Sequence, residues 1–286
     1  MSDHCKLNCG GKELNLGSRT HLMGIVNCTP DSFYSASRHT SVRSAVKAGV
    51  EMVKAGADFL DIGGESTRPG AKKVSAEEEI RRVVPVIKEL SSVVDVPLSV
   101  DTYKSKVARL VLEAGASMIN DISALQFDPE MAAVAAEFEV PVVLMHIKGT
   151  PQNMQNHPEY ENVIDEIVSY FERRIEFALS QGIKFENIIL DPGIGFGKRL
   201  QDNYQILREL AVFKKMSRPI LVGISRKSFI GRVLGKPPEE SLAGSMAAST
   251  LAILNSADIL RVHDVKPMKE VVTIADQFVH KMNHVN

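Results

Sequence analysis

Short apolar runs that end in polar residues recur along the chain. Each run is rich in Val, Ile and Leu, the composition of a parallel strand that is buried on both faces. The stretches between the runs place apolar residues at helical spacing, so strands and helices are predicted to alternate. The predicted strands lie at residues 21–27, 57–62, 97–101, 116–121, 140–146, 187–191, 219–225 and 258–263.

The connections between these runs predict how the strands are arranged. Proline introduces the third, fifth and seventh strands, at Pro97, Pro141 and Pro219, where a missing N–H costs no needed ladder bond. Eight strand–helix units close into a barrel of about 250 residues. We predict an α/β protein with a single (β/α)8 TIM barrel, preceded by a short N-terminal β-hairpin that turns at residues 10–11. A doubly wound sheet is the alternative, but it would not need polar residues at all eight strand ends.

Length and composition agree with one domain. The chain has 286 residues, of which 44% are hydrophobic, and no Gly/Ser linker or shift in composition marks a boundary. We predict a single domain over residues 1–286, with the hairpin segment at 1–18 and the barrel at 19–286. The net charge of −1 argues against nucleic-acid binding and against binding to anionic membranes.

The sequence also predicts where the protein resides. No apolar stretch approaches the ~18 residues of a membrane span, and the first residues lack a signal-peptide core. We therefore expect a cytoplasmic protein with no membrane partner. The cysteines, Cys5, Cys9 and Cys28, are interpreted as free thiols, and a zinc site at Cys5 and Cys9 is the weaker alternative because paired ligands are missing.

The predicted strands end in polar residues that packing does not require. In an α/β barrel these strand ends build the active site, so Asp101, Asn120 and Asp191 are predicted to face one pocket. Two carboxylates and an amide suit a planar heterocycle with several N–H donors. A glycosidase acid and nucleophile are the alternative for the carboxylates. His146 is interpreted as part of the pocket wall rather than as a metal ligand.

Cations cluster on the neighbouring strand ends. Ser225, Arg226 and Lys227 follow the seventh predicted strand, and Arg261 and His263 end the eighth. These loops often form a phosphate site in barrels, and residues two apart on a strand face the same way. Arg261 and His263 are therefore predicted to hold one anion. The set indicates an anionic substrate or leaving group, with a structural ion-pair network as the alternative.

The first two strand-to-helix loops carry further candidates. Asn27 ends the first strand, and its amide oxygen is a hard ligand suited to Mg²⁺, although a turn cap is the alternative. In the second loop, Thr67 and Arg68 offer a hydroxyl and a bidentate cation for a carboxylate or a phosphate. The alternative for this loop is a solvated segment with a surface arginine.

In combination, these motifs resemble the dihydropteroate synthase family. The resemblance covers nearly the whole chain in the family's order, which makes the set far more specific than any one motif. Residues 27–33 are similar to the family's Asn-Val-Thr-Pro-Asp-Ser-Phe loop, whereas residues 34–37 depart from its usual Ser-Asp-Gly-Gly. The other matching segments are 61–70, 100–102, 119–121, 145–146, 191–198, 225–227 and 261–265.

The resemblance implies a transferase of folate biosynthesis. The family joins 6-hydroxymethyl-7,8-dihydropterin diphosphate to 4-aminobenzoate and releases pyrophosphate, and sulfonamides compete at its 4-aminobenzoate site. The resemblance also implies a homodimer and Mg²⁺ held through Asn27. The implied pterin ligands are Asp101, Asn120, Asp191 and Lys227; the pyrophosphate ligands are Asn27, Arg261 and His263; the 4-aminobenzoate ligands are Thr67, Arg68, Pro69, Ser225 and Phe33. The implied catalytic residues are Asp101, Asp191, Lys227, Arg261 and His263.

Two other functions are left as alternatives. A pterin-binding methyltransferase that uses methyltetrahydrofolate and a corrinoid partner would share the Asp/Asn pocket. It has no need of the Arg261 and His263 pair or of the Thr67-Arg68 loop. A non-catalytic barrel that binds folate precursors would not need leaving-group cations. Release of pyrophosphate from the pterin diphosphate and 4-aminobenzoate separates these functions from the synthase.

Overall fold

The computed structural model describes residues 5–29 and 38–279, and for residues 38–41 it describes the backbone only. The strands of this part of the chain are β1 Cys5–Cys9, β2 Lys12–Leu16, β3 His21–Asn27, β4 Phe59–Gly63, β5 Leu98–Asp101, β6 Met118–Asp121, β7 Val142–Met145, β8 Ile188–Asp191, β9 Leu221–Gly223 and β10 Ile259–Val262. Its α-helices are α1 Arg38–Lys54, α2 Ala76–Val93, α3 Ser105–Glu113, α4 Met131–Glu137, α5 Val163–Ser180, α6 Leu200–Arg208, α7 Ser228–Leu234, α8 Leu242–Leu254 and α9 Val265–Val279.

Strands β3–β10 form the predicted barrel. Seven neighbouring pairs are parallel, in the spatial order β8-β7-β6-β5-β4-β3-β10-β9. A parallel bridge between Leu190 and Ile220 joins β8 to β9 and brings the two edges together. The TIM-barrel prediction is therefore confirmed, and the doubly wound sheet is excluded. Most strands begin one or two residues later than predicted, because the apolar run starts in the preceding turn.

The predicted hairpin is also confirmed, and it plugs the N-terminal end of the barrel. Strands β1 and β2 pair antiparallel, with Cys9 opposite Lys12 across the glycine turn. Leu7, Cys9 and Leu16 are at most 1% exposed. They pack against the lowest interior layer of the barrel, which consists of Met23, Phe59, Met118, Val143, Ile189, Leu221 and Ile259. This apolar floor separates the N-terminal end from the mouth.

The helices cover the outside of the barrel. Alternate strand residues such as Leu60, Ile62 and Val100 point outward and join the large core between strands and helices. Ser75 caps α2, because its side chain accepts a hydrogen bond from the Glu78 N–H at the start of the helix. Within residues 5–29 and 38–279, no helix is both long and apolar enough to cross a membrane.

Candidate active site

The layer above the apolar floor is polar. Residues two apart on a strand face the same way, so the positions two residues beyond the floor also face the interior. On β4, β6, β8 and β10 these positions are Asp61, Asn120, Asp191 and Arg261. The alternation that places Val, Ile and Leu against the helices thus directs four polar side chains toward the mouth.

Arg261 connects the carboxylates of this layer. Its Nε donates to Asp61 Oδ2 at 2.6 Å, and one terminal nitrogen donates to Asp101 Oδ2 at 2.6 Å. Asn120 Nδ2 donates to the same Asp61 oxygen at 2.9 Å. The side chain of Arg261 is 20% exposed and that of Asp61 is fully buried, so this network lies at the base of the mouth. A guanidinium has five N–H donors, so Arg261 keeps further donors beside these two bonds.

Asp61 is a site residue for which the sequence predicted no ligand role. It lies in the middle of β4, not at its end, and is paired in register with Ile25. Its Oδ1 is buried and has no hydrogen-bond partner among the described residues. The available signal was a carboxylate inside the run Phe-Leu-Asp-Ile, because a fully buried Asp requires a partner or a function.

Burial is the largest influence on the pKa values of Asp101, Asp191 and Lys227 at the mouth. Burial raises the pKa of Asp101 to about 7, although Arg261 opposes the shift. Burial also raises the pKa of Asp191, against the pull of Lys227 and the Gly193 N–H. In the opposite sense, burial lowers the pKa of Lys227 to about 8. Groups that titrate near neutral pH in a cleft are candidates for ligand binding and catalysis.

Lys227 is held by the loop after β8. Its Nζ donates to the carbonyl oxygen of Ile194. The same nitrogen lies 4.3 Å from the centre of the Phe196 ring, which is a cation–π contact. The Gly193 N–H donates to Asp191 Oδ1 at 2.7 Å, so one loop contacts both charged residues. The predicted pair of Asp191 and Lys227 is therefore brought to the same wall of the mouth.

The polar residues at the ends of β9 and β10 differ in charge and in how firmly other side chains hold them. Ser225 Oγ accepts from the His263 N–H at 3.3 Å and lies 3.1 Å from His263 Nδ1. Burial, then Arg261 and Arg226, lower the pKa of His263 to about 4, so near neutral pH the free site has a neutral imidazole there. Arg226 is bound by both oxygens of Asp264 at 2.9 and 2.6 Å. Arg226 is thus paired with Asp264, whereas Arg261 is paired with the mouth carboxylates Asp61 and Asp101.

The loop after β4 carries Thr67, Arg68 and Pro69. Thr67 is half-buried, and Arg68 and Pro69 are exposed. The beginning of the loop is anchored, because Glu65 accepts from the Tyr103 hydroxyl at 3.0 Å and pairs with Lys104. Farther along, the Gly70 N–H donates to Pro151 O at 3.0 Å, in the loop after β7. The predicted residue Phe33 lies outside the described residues, as do residues 34–37.

Asn27 is the candidate metal ligand. It is half-buried at the end of β3 and on the interior face, two positions beyond Ile25 and four beyond Met23. Residues 5–29 and 38–279 contain no group of three or more His, Cys, Asp or Glu that could hold a metal ion. Mg²⁺ commonly keeps several waters and completes its shell with substrate phosphates. A single amide oxygen therefore fits a Mg²⁺ that arrives with a phosphate ligand, and it does not fit a tightly resident ion.

His146 lies just after β7 and is buried, and its place in the pocket wall stays a prediction. Its Nδ1 lies 2.9 Å from Lys198 Nζ, and its ring packs edge-on against Tyr170 at 4.7 Å between centres. Burial and then the Lys198 charge lower the pKa of His146 well below its usual value. Because Nδ1 is engaged by Lys198, that nitrogen is not free for a metal. The cysteines Cys5, Cys9 and Cys28 are free thiols.

Comparison with known proteins places this arrangement in a family. The family model described as "Pterin binding enzyme" matches residues 23–263. A relative from Synechocystis sp., named dihydropteroate synthase, is 47% identical over 261 residues, which cover 91% of this chain and 90% of the relative. The matched range includes every described strand of the barrel from within β3 to the end of β10.

Solved structures agree with this relationship. The Yersinia pestis dihydropteroate synthase, solved with a sulfonamide drug complex, superposes with a TM-score of 0.91 at 44% identity, covering 96% of this chain and 99% of that one. The Xanthomonas albilineans dihydropteroate synthase, solved with 4-aminobenzoic acid, also has a TM-score of 0.91 at 44% identity and covers 98% of this chain and 100% of that one. The similarity therefore extends over the full barrel.

Proposed function

We propose how the described residues perform the family reaction, given that the chain belongs to the dihydropteroate synthases, a family of pterin-binding enzymes. The protein is a transferase that condenses 6-hydroxymethyl-7,8-dihydropterin diphosphate with 4-aminobenzoate to 7,8-dihydropteroate and pyrophosphate. The methyltransferase and the non-catalytic barrel are not needed to explain either the relatives or the mouth.

One observation supports the assignment most strongly. Arg261 bonds two buried carboxylates, Asp61 and Asp101, at 2.6 Å each, beside the Asn120 amide. Carboxylates and an amide accept hydrogen bonds from a donor-rich heterocycle, and the guanidinium beside them binds an anion. A pterin that carries a diphosphate has both features in one molecule. The mouth is therefore complementary to the two ends of this substrate.

The pterin is assigned to Asp101, Asn120, Asp191 and Lys227. The two carboxylates accept its N–H groups, and their negative charge stabilises positive charge that develops on the pterin methylene as the C–O bond breaks. Lys227, positioned by the Ile194 carbonyl and the Phe196 ring, donates to acceptors on the heterocycle. Asp61 holds Arg261 and Asn120 and so acts through them.

The diphosphate is assigned to Asn27, Arg261 and His263. The C–O bond breaks with its electron pair on the leaving oxygen, and Arg261 neutralises that charge with the donors that Asp61 and Asp101 do not use. His263 is neutral in the free site and gains a proton more readily once an anion lies beside it. Asn27 would hold a Mg²⁺ that arrives with the diphosphate, and such an ion would supply additional positive charge to the leaving group.

The aromatic amine is assigned to the outer part of the mouth, near Thr67, Arg68, Pro69 and Ser225. Its nitrogen attacks the methylene, forms the C–N bond and loses a proton. A weakly basic amine needs positioning more than deprotonation. Phe33 belongs to this assignment but lies outside the described residues. We expect the loop at 63–74 to close over the bound pterin before the amine binds, so it should gain protection from hydrogen exchange when the pterin and pyrophosphate bind. Equal protection with and without these ligands would contradict this order.

The reaction is tested by pyrophosphate release. The purified protein with Mg²⁺ should release pyrophosphate only when the pterin diphosphate and 4-aminobenzoate are both present. Omission of either substrate is the control, and a sulfonamide added beside 4-aminobenzoate should inhibit the release. Release of pyrophosphate from the pterin diphosphate alone, at an unchanged rate, would contradict the assignment of a condensing enzyme.

A homodimer is also proposed, with α8 and α9 as its interface. These helices present Leu251, Ile274 and Phe278, which are 48%, 74% and 80% exposed, beside an apolar groove of about 480 Å³. Apolar patches of this kind commonly mark protein interfaces. Light scattering should give a dimer for the wild type and a monomer for Phe278→Glu. A monomeric wild type would contradict this proposal.

The cytoplasmic location stays a prediction from the sequence.

A further inference from the structure

Glu65 connects the loop after β4 to the segment between β5 and α3. Its Oε1 accepts from the Tyr103 hydroxyl at 3.0 Å, and its Oε2 is paired with Lys104 Nζ, which also pairs with Glu79 of α2. The side chains of Glu65, Glu79 and Lys104 are 5%, 1% and 16% exposed, so water screens these bonds little. The Tyr103 ring packs edge-on against Phe127 at 5.5 Å between centres, which restrains its hydroxyl.

The two partners of this carboxylate directly follow the strand that carries Asp101. Tyr103 and Lys104 lie two and three positions beyond Asp101, the last residue of β5. The intervening Thr102 donates its N–H to Asn120 O at 3.1 Å and so continues the bonding between β5 and β6. The donors that hold the loop after β4 are therefore fixed to the strand ends that carry two residues assigned to the pterin.

Glu65 lies where the loop leaves the packed barrel. On one side, Gly64 is packed so closely on α2 that a Cβ there would lie 2.8 Å from Val83 Cγ1. On the other side, Thr67 is half-buried and Arg68 is exposed. The side-chain bonds of Glu65 thus lie at the base of the exposed segment that carries the residues assigned to the aromatic amine.

One ammonium serves two buried carboxylates in this cluster. Burial raises the pKa of Glu79 against the pull of Lys104, and the charge of Glu65 adds to the rise. Burial of a second carboxylate has a desolvation cost that one shared ammonium offsets only in part. Glu79 alone would give Lys104 a buried counterion. The presence of Glu65 therefore indicates a role beyond the stability of this ion pair.

We propose that Glu65 is a positioning residue for the aromatic amine. Its bonds to Tyr103 and Lys104 hold the base from which residues 67–68 reach the amine, at a fixed place relative to the pterin beside Asp101. An amine that attacks the pterin methylene depends on such alignment. The inference rests on the proposed assignment of residues 67–68 to 4-aminobenzoate and of Asp101 to the pterin.

A positioning role and a purely structural role predict different kinetics. Glu65→Ala should raise the KM for 4-aminobenzoate about tenfold, because binding of the amine must first restore the loop. The kcat at saturating amine should fall by less than about threefold. The affinity for the pterin diphosphate should stay within about twofold, since Glu65 bonds to Tyr103 and Lys104 rather than to the residues assigned to the pterin. A residue that only stabilises the fold would change none of these constants in the folded enzyme.

Conservative variants separate the two bonds. Glu65→Gln keeps an acceptor oxygen without the charge and should raise the KM for 4-aminobenzoate by only about threefold; it also serves if Glu65→Ala does not fold. Tyr103→Phe removes the hydroxyl and keeps the ring, and it should raise the same KM by a similar factor. Addition of Tyr103→Phe to Glu65→Ala should have little further effect, because the shared bond is already absent.

Glu79→Gln is the matched control, because it weakens an ion pair of the same lysine on the side of α2. It should lower the melting temperature and leave the KM for 4-aminobenzoate within about twofold. The assay follows pyrophosphate release by the full-length protein at saturating pterin diphosphate while 4-aminobenzoate is varied, and calorimetry measures the pterin affinity.

Three results would overturn the inference. They are an unchanged KM for 4-aminobenzoate in the Glu65 variants that fold, an equal rise of this KM in Glu79→Gln, and a loss of pterin affinity in Glu65→Ala as large as the rise in KM. An inactive wild type would instead contradict the proposed function.

Discussion

The two ends of the barrel contain the same kinds of buried charge in different states. At the N-terminal end, Asp58 accepts from Arg19 at 2.9 and 2.5 Å and from the Leu22 N–H at 2.8 Å. Asp258 likewise accepts from Lys214 and from the Ile220 N–H at 2.7 Å. In each case the carboxylate binds a cation and the first N–H groups of a neighbouring strand. These charges fix strand register.

At the mouth the carboxylates are bonded less completely by protein donors. Burial acts to raise the pKa of Asp58, but Arg19 and the Leu22 N–H outweigh it and the pKa falls below its ordinary value. Burial prevails for Asp101, whose pKa rises to about 7, and Asp61 Oδ1 has no partner among the described residues. For Asp58 and Asp101 the direction of the pKa shift thus distinguishes a carboxylate that completes the fold from one that is a candidate for ligand binding.

The two ends differ most in the space that a side chain would find at their glycines. A Cβ at Gly193 would lie 1.9 Å from the His146 carbonyl oxygen at a φ of 67°, whereas a Cβ at Gly11 in the hairpin turn meets nothing within 4 Å at a φ of 86°. We expect Gly193→Ala to cost on the order of 4 kcal/mol or more of unfolding free energy. Gly11→Ala should cost only the ~1–2 kcal/mol of its backbone conformation. Urea unfolding measures both, and equal losses would contradict the contrast.

Arginine substitutions test whether the ion pairs of Arg261 at the mouth and of Arg19 at the N-terminal end have separate roles. Arg261→Met should reduce turnover by about 10²–10³-fold, the effect of losing one transition-state donor. Arg19→Met at the other end should leave turnover within about twofold and lower stability by about 1–2 kcal/mol. Steady-state kinetics and urea unfolding of both variants decide the point. A comparable loss of turnover in folded Arg19→Met would show that the ends are not independent.

Carboxylate substitutions at the two ends compare their effects on the affinity for the pterin diphosphate. Asp191→Asn should weaken binding of the pterin diphosphate by about 2–4 kcal/mol, because a charge-assisted pair is lost. Asp258→Asn should leave that affinity unchanged and lower the free energy of unfolding. Calorimetry with the pterin diphosphate and thermal unfolding give the two readouts. Unchanged pterin affinity in Asp191→Asn would remove this residue from the pocket.

The smallest expected effect is on pH dependence. Asp101 has a folded pKa of about 7 and an ordinary value of 3.8, so protonation below pH 7 removes a hydrogen-bond acceptor for the pterin. Pterin affinity should fall as the pH drops from 8 to 6, by less than about tenfold. Over the same window the Asp101 contribution to unfolding free energy should rise, because the folded state binds more protons. Asp58, with its lowered pKa, stays ionised there. Parallel losses of affinity and stability would contradict this separation.

Much of the fold follows from local sequence. The apolar runs and the glycine turn at residues 10–11 depend on neighbours within a few residues, so they predicted the strands to within a few residues of their observed bounds. The same period of two predicted that Arg261, in β10, and His263, directly after it, face the same way. Chain order and register then suffice to bring Asp101, Asn120 and Asp191 to one mouth.

Partners and charge states were decided by the tertiary structure. Asp61 is bonded to Arg261, which is 200 positions away in the sequence. Arg226 is bonded to Asp264, 38 positions away. Lys198 is only the last residue of a glycine-rich motif in the sequence, yet its side chain is enclosed in the fold, where burial lowers its pKa well below the usual value. The sequence determines which groups carry charge in water. Desolvation and the identity of distant neighbours, which exist only after the barrel closes, determine which groups carry charge in the protein.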